Sequence, residues 1–392
     1  MKHTYPHPHR AGRLLTETIG HYTENNFPKH KSVHIDEISK LTCGFVNQIP
    51  DGGTGFVSFT GLPGVGKSSH VHHLERETEN ALGFQAKQDH IVYRGLDQQP
   101  LEVGGVVCTE RNNFLITVHA DHFFRAIGSD RRELMLQNLE ACRKLWGNPS
   151  ACIRFIRDIF SGNSTDVKIY LGTDIEKRKK ESMGQIELKT PHVSNEGKRV
   201  IIAEGVNVGK WASKLSAHTS IEVLKILFNV SLETSLIRVL RRDHERKGYA
   251  FHDILEHRLR EYYYILKLYI EPALRDPETI LFHRRRDIPP FSRKEIQEIT
   301  STLKSLKKQF SEDPYLTIDQ RQFIHKFIGK LQTEMNTLHG VSEDEMNIWR
   351  LSKVLKNEEE SLLIKKAEYE KALEQVNATK ARIHAIEKKF SK

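Results

Sequence analysis

The chain has 392 residues, enough for one sizeable core plus a second unit, and a formal net charge of +9, which suits anionic ligands such as nucleotides, acidic lipid surfaces or nucleic acid. Its four cysteines, Cys43, Cys108, Cys142 and Cys152, form no C-x-x-C pair, which argues against a zinc module or a disulfide scaffold and fits a reducing, cytoplasmic compartment. No apolar run approaches the roughly twenty residues of a membrane span, and the N-terminus lacks an apolar signal region, so a soluble protein is expected.

Residues 1–50 read as a polar, histidine-rich lead segment, with an amphipathic piece over Val33–Val46 before the turn signal Pro50-Asp-Gly-Gly53. From 51 to 287, apolar β-branched runs alternate with helical patterns. Strands are expected at Phe56–Thr60, Phe114–Val118, Val200–Ala203 and Ile226–Val230, with helices from Lys67 to about Ala81 and around Asp130–Trp146. Such alternation predicts an α/β fold with a mainly parallel sheet covered by helices. Ile91–Tyr93 and Val103–Cys108, separated by turn residues, are expected to form an inserted hairpin over about 84–112. Beyond Pro289-Pro290, the region 288–392 is strand-poor and charged and reads as an all-helical extension. There Ile348, Leu355, Leu362, Tyr369, Val376, Ile383 and Phe390 recur every seven residues, while Leu351, Glu358, Lys365, Ala372, Thr379 and Ile386 between them are only partly apolar. The pattern predicts a long helix, either folded into a helical hairpin or bundle or joined to a second copy or a protein partner in a coiled coil.

Gly61-Leu-Pro-Gly-Val-Gly-Lys-Ser68 fits G-x-x-x-x-G-K-[ST] at every constrained position and directly follows a strand-like run. Glycines let successive backbone N–H groups turn inward onto phosphate oxygens, and the following helix offers the positive end of its dipole. Gly61, Gly64, Val65, Gly66, Lys67, Ser68 and Ser69 are therefore candidates to hold ATP or GTP, with Lys67 reaching the β/γ-phosphates and Ser68 ligating Mg²⁺. The competing reading is a chance glycine-rich strand-to-helix turn. The motif on this alternating pattern predicts a P-loop NTPase three-layer α/β/α sandwich.

Asp121, just past the C-terminal end of an expected strand, could accept a hydroxyl proton, with Phe123 and Phe124 as an apolar wall; the same pattern suits a helix N-cap followed by core aromatics. Glu204, at the end of Val200-Ile-Ile-Ala-Glu-Gly205, could position the waters of a bound Mg²⁺, or be a surface loop acid. Arg238, Arg242 and Arg246 share a helical face and could converge on transferring phosphate, or form a solvated face paired with Asp243 and Glu245. Among 21 histidines, His70 and His73 could share a face of the loop helix and are read as packed or solvated rather than metal-binding.

In this order the segments resemble the uridine kinase and phosphoribulokinase family of P-loop small-molecule kinases, over about residues 55–285. The resemblance rests on the phosphate loop, Asp121-His-Phe-Phe124, Glu204-Gly205, and Arg242-Asp243 with Glu245-Arg246-Lys-Gly248. Val167-Lys-Ile-Tyr170 with Arg178-Lys179 looks like the family's nucleoside-contacting segment, and Tyr262–Pro272 like its helix ending at a proline near the substrate. The resemblance implies Asp121 as base, Glu204 as metal-shell acid, Lys67, Arg242 and Arg246 as catalytic cations, Arg238 on the nucleotide, and Phe123, Phe124, Tyr170 and Arg178 on the acceptor. It implies ATP or GTP with Mg²⁺, and a nucleoside-like acceptor or a sugar phosphate. The chain departs from the family at Phe124, where a tyrosine is expected, in a lid about one residue shorter, and in the added hairpin. A nucleotide-binding interaction protein with a partner-binding helical tail is the reading from another class. The lack of an RNA-binding aromatic signature, of further helicase motifs and of Asn-Lys-x-Asp argues against a nucleic-acid-dependent ATPase or a GTPase.

Overall fold

The run before the glycine-rich loop becomes a strand whose seven residues are all buried, as expected for the interior of a parallel sheet covered on both faces. The computed structural model describes residues 11–71, 87–94, 100–108, 114–119, 167–170, 183–188, 197–206, 208–216, 221–283 and 287–390. In chain order the strands are β1 (Ser32–His34), β2 (Thr54–Thr60), β3 (Lys87–Arg94), β4 (Pro100–Cys108), β5 (Phe114–His119), β6 (Val167–Tyr170), β7 (Met183–Leu188), β8 (Arg199–Gly205), β9 (Ile221–Phe228) and β10 (Ile280–His283). The helices are α1 (Leu15–Thr18), α2 (Ile35–Gln48), a stretch at 67–71, α3 (Val208–Leu215), α4 (Leu232–Lys247), α5 (Phe251–Ile265), α6 (Glu271–Arg275), α7 (Arg293–Glu312), α8 (Ile318–Asn336) and α9 (Glu343–Phe390).

The strands form one sheet in the order β1-β10-β9-β2-β8-β5-β4-β3-β7-β6. From β1 to β5 all pairs are parallel, and from β5 to β6 all are antiparallel. β2 lies in the parallel half between β8 and β9, with Phe59 level with Glu204 and Ile226. Helices cover both faces of β2. A Cβ on Gly55 would meet Ile49 and Phe45, from α2 and its C-cap, while a Cβ on Gly209 of α3 would meet Thr60, whose side chain points to the opposite face. This is the expected three-layer α/β/α arrangement, and the C-terminal region is helical.

The sheet extends beyond the expected strands at both edges. The lead segment contributes β1, which pairs with β10, and neither short strand is among those the alternation predicts. The hairpin at 84–112 is β3 and β4, joined to the main sheet through β5 and extended by β7 and β6. β9 begins at Ile221, five residues before the expected start: Ile221 to Lys225 pair with Thr54 to Ser58 of β2, and Lys225 keeps its ammonium satisfied by Asp276 (2.8 Å) and Glu278 (2.9 Å). The helix expected around Asp130–Trp146 lies outside the described residues.

The chain divides into two compact units, Met1–Pro289 with Ile299–Met335, and Pro290–Glu298 with Asn336–Lys392. Residues 299–335, expected with the C-terminal region, thus belong to the first unit. Their apolar stripe, Leu303, Leu306, Phe310, Phe323, Phe327 and Ile328, is buried there, and Arg260 of α5 holds Asp313 at 2.7 Å beneath the Phe310 ring. α7, α8 and α9 each begin with a capping box, Ser292 with Glu295, Thr317 with Gln320 and Ser342 with Glu345. In the second unit α9 runs for 48 residues with Ile348, Leu351, Leu355, Leu362, Tyr369, Leu373 and Val376 exposed.

Candidate functional site

The loop leaves β2 at Gly61 and re-enters helix at Lys67. Gly64 (φ 74°) and Gly66 (φ 89°) are left-handed, the conformation that only glycine adopts at low cost. Leu62 and Val65 are buried and anchor the loop from below, so any contribution of Val65 to a nucleotide comes from its backbone. Lys67 is 7% exposed, and its Nζ donates to Gly61 O (3.0 Å) and Leu62 O (2.9 Å). Its ammonium therefore lies inside the curve of the loop. Ser68 and Ser69 are exposed on the first helical turn.

Glu204 is 7% exposed and sits one residue before the end of β8. It is level with Phe59 on β2, and register neighbours in a parallel sheet direct their side chains to the same face. That face also carries the helix of the loop, because His70, on that helix, packs on Phe228 (5.5 Å between rings) and Phe282 (4.8 Å). Phe228 in turn contacts Phe59. The sheet thereby brings a carboxylate to the strand end beside the loop, on the side where the helix starts. His70 is a packed core residue, 2% exposed.

The arginine-bearing segment is α4, capped by Ser231, which accepts from Thr234 N at 3.2 Å, and ended by Gly248 in the left-handed region. α4 touches the loop. A Cβ on Gly64 would meet Val239 (3.0 Å), Ser235 O (3.1 Å) and Arg238 Cβ (3.5 Å). Arg238, half-buried, therefore starts at the loop itself. Arg242 pairs with Asp243 at 2.9 Å, while Arg246 is exposed near the C-cap. The three arginines share a helix but diverge in environment. Arg241, left out of the shared face, is 1% exposed with Glu245 at 3.7 Å.

Two residues that the sequence reading does not place at the nucleotide hold the loop; Tyr262 enters that reading only as the head of the helix expected near the substrate. Ser235 Oγ donates to Pro63 O at 2.5 Å, and Tyr262 OH lies 2.6 Å from Ser235 Oγ. The only sequence signal for them is their position one turn before Arg238 and at the head of Tyr262-Tyr-Tyr264.

Asp121, Phe123, Phe124 and Arg178 lie outside the described residues. Tyr170 ends β6, and its side chain is likewise outside them. Among the described residues no three of His, Cys, Asp and Glu gather into a metal-holding group, and no helix is long and apolar enough to cross a membrane. The donor set fits a nucleotide with Mg²⁺ through backbone N–H groups, Lys67 and the Ser68 hydroxyl, with Glu204 nearby.

No protein-family model and no curated protein matches the chain. Among solved structures it is similar to YFH7 from Saccharomyces cerevisiae, described as a candidate P-loop containing kinase with a circular permutation, at 10% identity and a TM-score of 0.31, covering 64% of this chain and 99% of that one. A likeness of that size carries no argument.

Proposed function

We propose that the protein is a Mg²⁺-dependent phosphotransferase that moves the γ-phosphate of ATP or GTP to a hydroxyl of a nucleoside-like small molecule. The observation that carries this reading is the buried Lys67 ammonium inside a loop with left-handed Gly64 and Gly66, beside Glu204 on the neighbouring strand. Gly61 to Ser69 hold the triphosphate, Ser68 ligates the metal and Glu204 orders its waters. Asp121 takes the acceptor's proton, and Phe123, Phe124, Tyr170 and Arg178 contact the acceptor. Arg238 meets the nucleotide, and Arg242 and Arg246 offset charge on the transferring group. A sugar phosphate is the alternative acceptor within this class, and a reducing, cytoplasmic compartment fits the four scattered cysteines.

A second reading is favoured by one observation, the exposed heptad residues of α9 from Ile348 to Val376. It is a nucleotide-binding interaction protein whose tail engages a copy of itself or another protein. One experiment separates the two. ADP and GDP release is measured with Mg²⁺ and ATP or GTP across nucleosides and sugar phosphates, beside Lys67→Ala and Asp121→Asn. Acceptor-dependent release lost in both variants supports the kinase, and binding with no acceptor-stimulated release by the whole panel supports the second reading.

A further inference from the structure

Pro63 and Gly64 form the shoulder of the loop, and α4 holds both. Ser235 is fully buried and commits its only proton to Pro63 O, so the Tyr262 hydroxyl, 2.6 Å away, must donate to Ser235 Oγ. Tyr262 is suited to donating. It is completely buried, and that burial, more than any neighbour, pushes its hydroxyl far above the ordinary tyrosine range and keeps it protonated. Its ring packs on Phe327 of α8 (5.6 Å between centroids), so the helical hairpin added to the first unit backs the chain of hydrogen bonds.

The geometry at Pro63 has a directional effect. The chain contains no cis peptide among the described residues, and in a trans peptide the C=O and the following N–H point in opposite directions. Holding Pro63 O toward α4 therefore turns Gly64 N–H to the other side of the loop, away from the helix. Gly64 lies close against α4, since a Cβ added to it would meet Val239 at 3.0 Å and Ser235 O at 3.1 Å. We propose that Ser235 and Tyr262 are positioning residues whose relay presets the Gly64 N–H for a nucleotide phosphate. The proposal rests on the nucleotide-binding reading above and adds two residues on which that reading does not depend.

The test uses the full chain as wild type, Lys67→Ala, Ser235→Ala, Tyr262→Phe and the Ser235→Ala/Tyr262→Phe double variant. Each is titrated with Mg²⁺-ADP and Mg²⁺-GDP by calorimetry, and amide exchange over residues 61–68 is followed without nucleotide. Loss of one hydrogen bond to the loop predicts about five-fold weaker binding for Ser235→Ala and about two-fold for Tyr262→Phe. Because Tyr262 acts only through Ser235, the double variant should bind no more weakly than Ser235→Ala, and loop exchange should accelerate in Ser235→Ala. A purely structural role would instead give additive losses tracking thermal stability, and would overturn the relay. So would wild-type affinity with unchanged loop exchange in Ser235→Ala. A wild type that binds neither nucleotide, like Lys67→Ala, overturns the nucleotide reading and the proposal with it. If Tyr262→Phe fails to fold, affinity and loop exchange in Ser235→Ala decide the matter.

Discussion

Arg258 Nη2 donates to Asp243 Oδ2 at 3.2 Å, tying α5 to the helix that touches the phosphate-type loop. Arg242 holds the other oxygen at 2.9 Å, and Lys247 lies 3.5 Å from it. Burial alone would raise the Asp243 carboxyl, but the hydrogen bond and charge of Arg242, with Arg258 and Lys247, hold it below the ordinary range. A depressed folded value means stabilisation present above the unfolded value of about 3.9 and lost as pH falls through the folded one. Asp243→Asn should cost about 1–3 kcal/mol at neutral pH and flatten the acid limb. Denaturant melts at neutral pH and below about pH 4 check both effects.

Gly64 and Gly248 are both left-handed, at φ 74° and 66°, yet they should respond differently to alanine. At Gly248 nothing lies within 4 Å of the added Cβ, so only the backbone preference of about 1 kcal/mol is lost. At Gly64 the Cβ would press on Val239 and Ser235 O as well, so the loss should exceed about 2 kcal/mol and nucleotide affinity should fall with it. Melting curves for the two variants, with and without Mg²⁺-ADP, compare them directly.

Tyr22 donates to Glu233 Oε1 at 2.5 Å; both groups are buried, and the Tyr22 ring packs on Phe323 and Phe327. Tyr22→Phe would leave the carboxylate without that donor in an apolar surrounding, a loss of about 1–3 kcal/mol. A midpoint equal to wild type would show that water takes the place of the hydroxyl.

Tyrosine burial also predicts an alkaline limb. Burial pushes Tyr269 up to about 12, and Tyr22 and Tyr262 are raised further, first by burial. With folded values above the unfolded one of about 10, their stabilisation is complete below about pH 10 and is lost as pH rises through the folded values. Tyrosinate absorbance should therefore lag behind that of the unfolded chain until unfolding releases it.

Mg²⁺-ATP should stabilise the protein by about 2.7 kcal/mol at a hundred times its dissociation constant. Lys67→Ala should abolish that shift and also lower the apo stability by about 1–3 kcal/mol, because its bonds to Gly61 O and Leu62 O are buried. Differential scanning of both proteins with and without nucleotide reads this out.

Much of the parallel half was legible because its buried strands carry short apolar, β-branched runs, as within Phe56–Thr60 and Val200–Ala203. The loop was legible because its spacing is set by backbone geometry. β1 and β10 escaped notice because three or four residues are too few to show a period, and Ser32-Val-His34 owes its strand to pairing with β10 rather than to its own composition. α8 packs with the first unit through a stripe that looks like any amphipathic face, and nothing local says which surface it will cover. Ser235 and Tyr262 act through tertiary contact across 27 residues, which spacing along one helix cannot express.

The edge strand β1 has a consequence for how the chain is made. Ser32 finds its partner Leu281 about 250 residues later, so at roughly 5–20 residues per second of synthesis the N-terminal strand emerges some 10 to 50 s before its neighbour exists. During that interval α2 and the loop can form while the sheet's outer border stays open, and Val33 waits for a chaperone or for solvent. A translation pause placed before codon 280 should lengthen that exposure, and slowing the ribosome there should increase aggregation more than slowing it after residue 290.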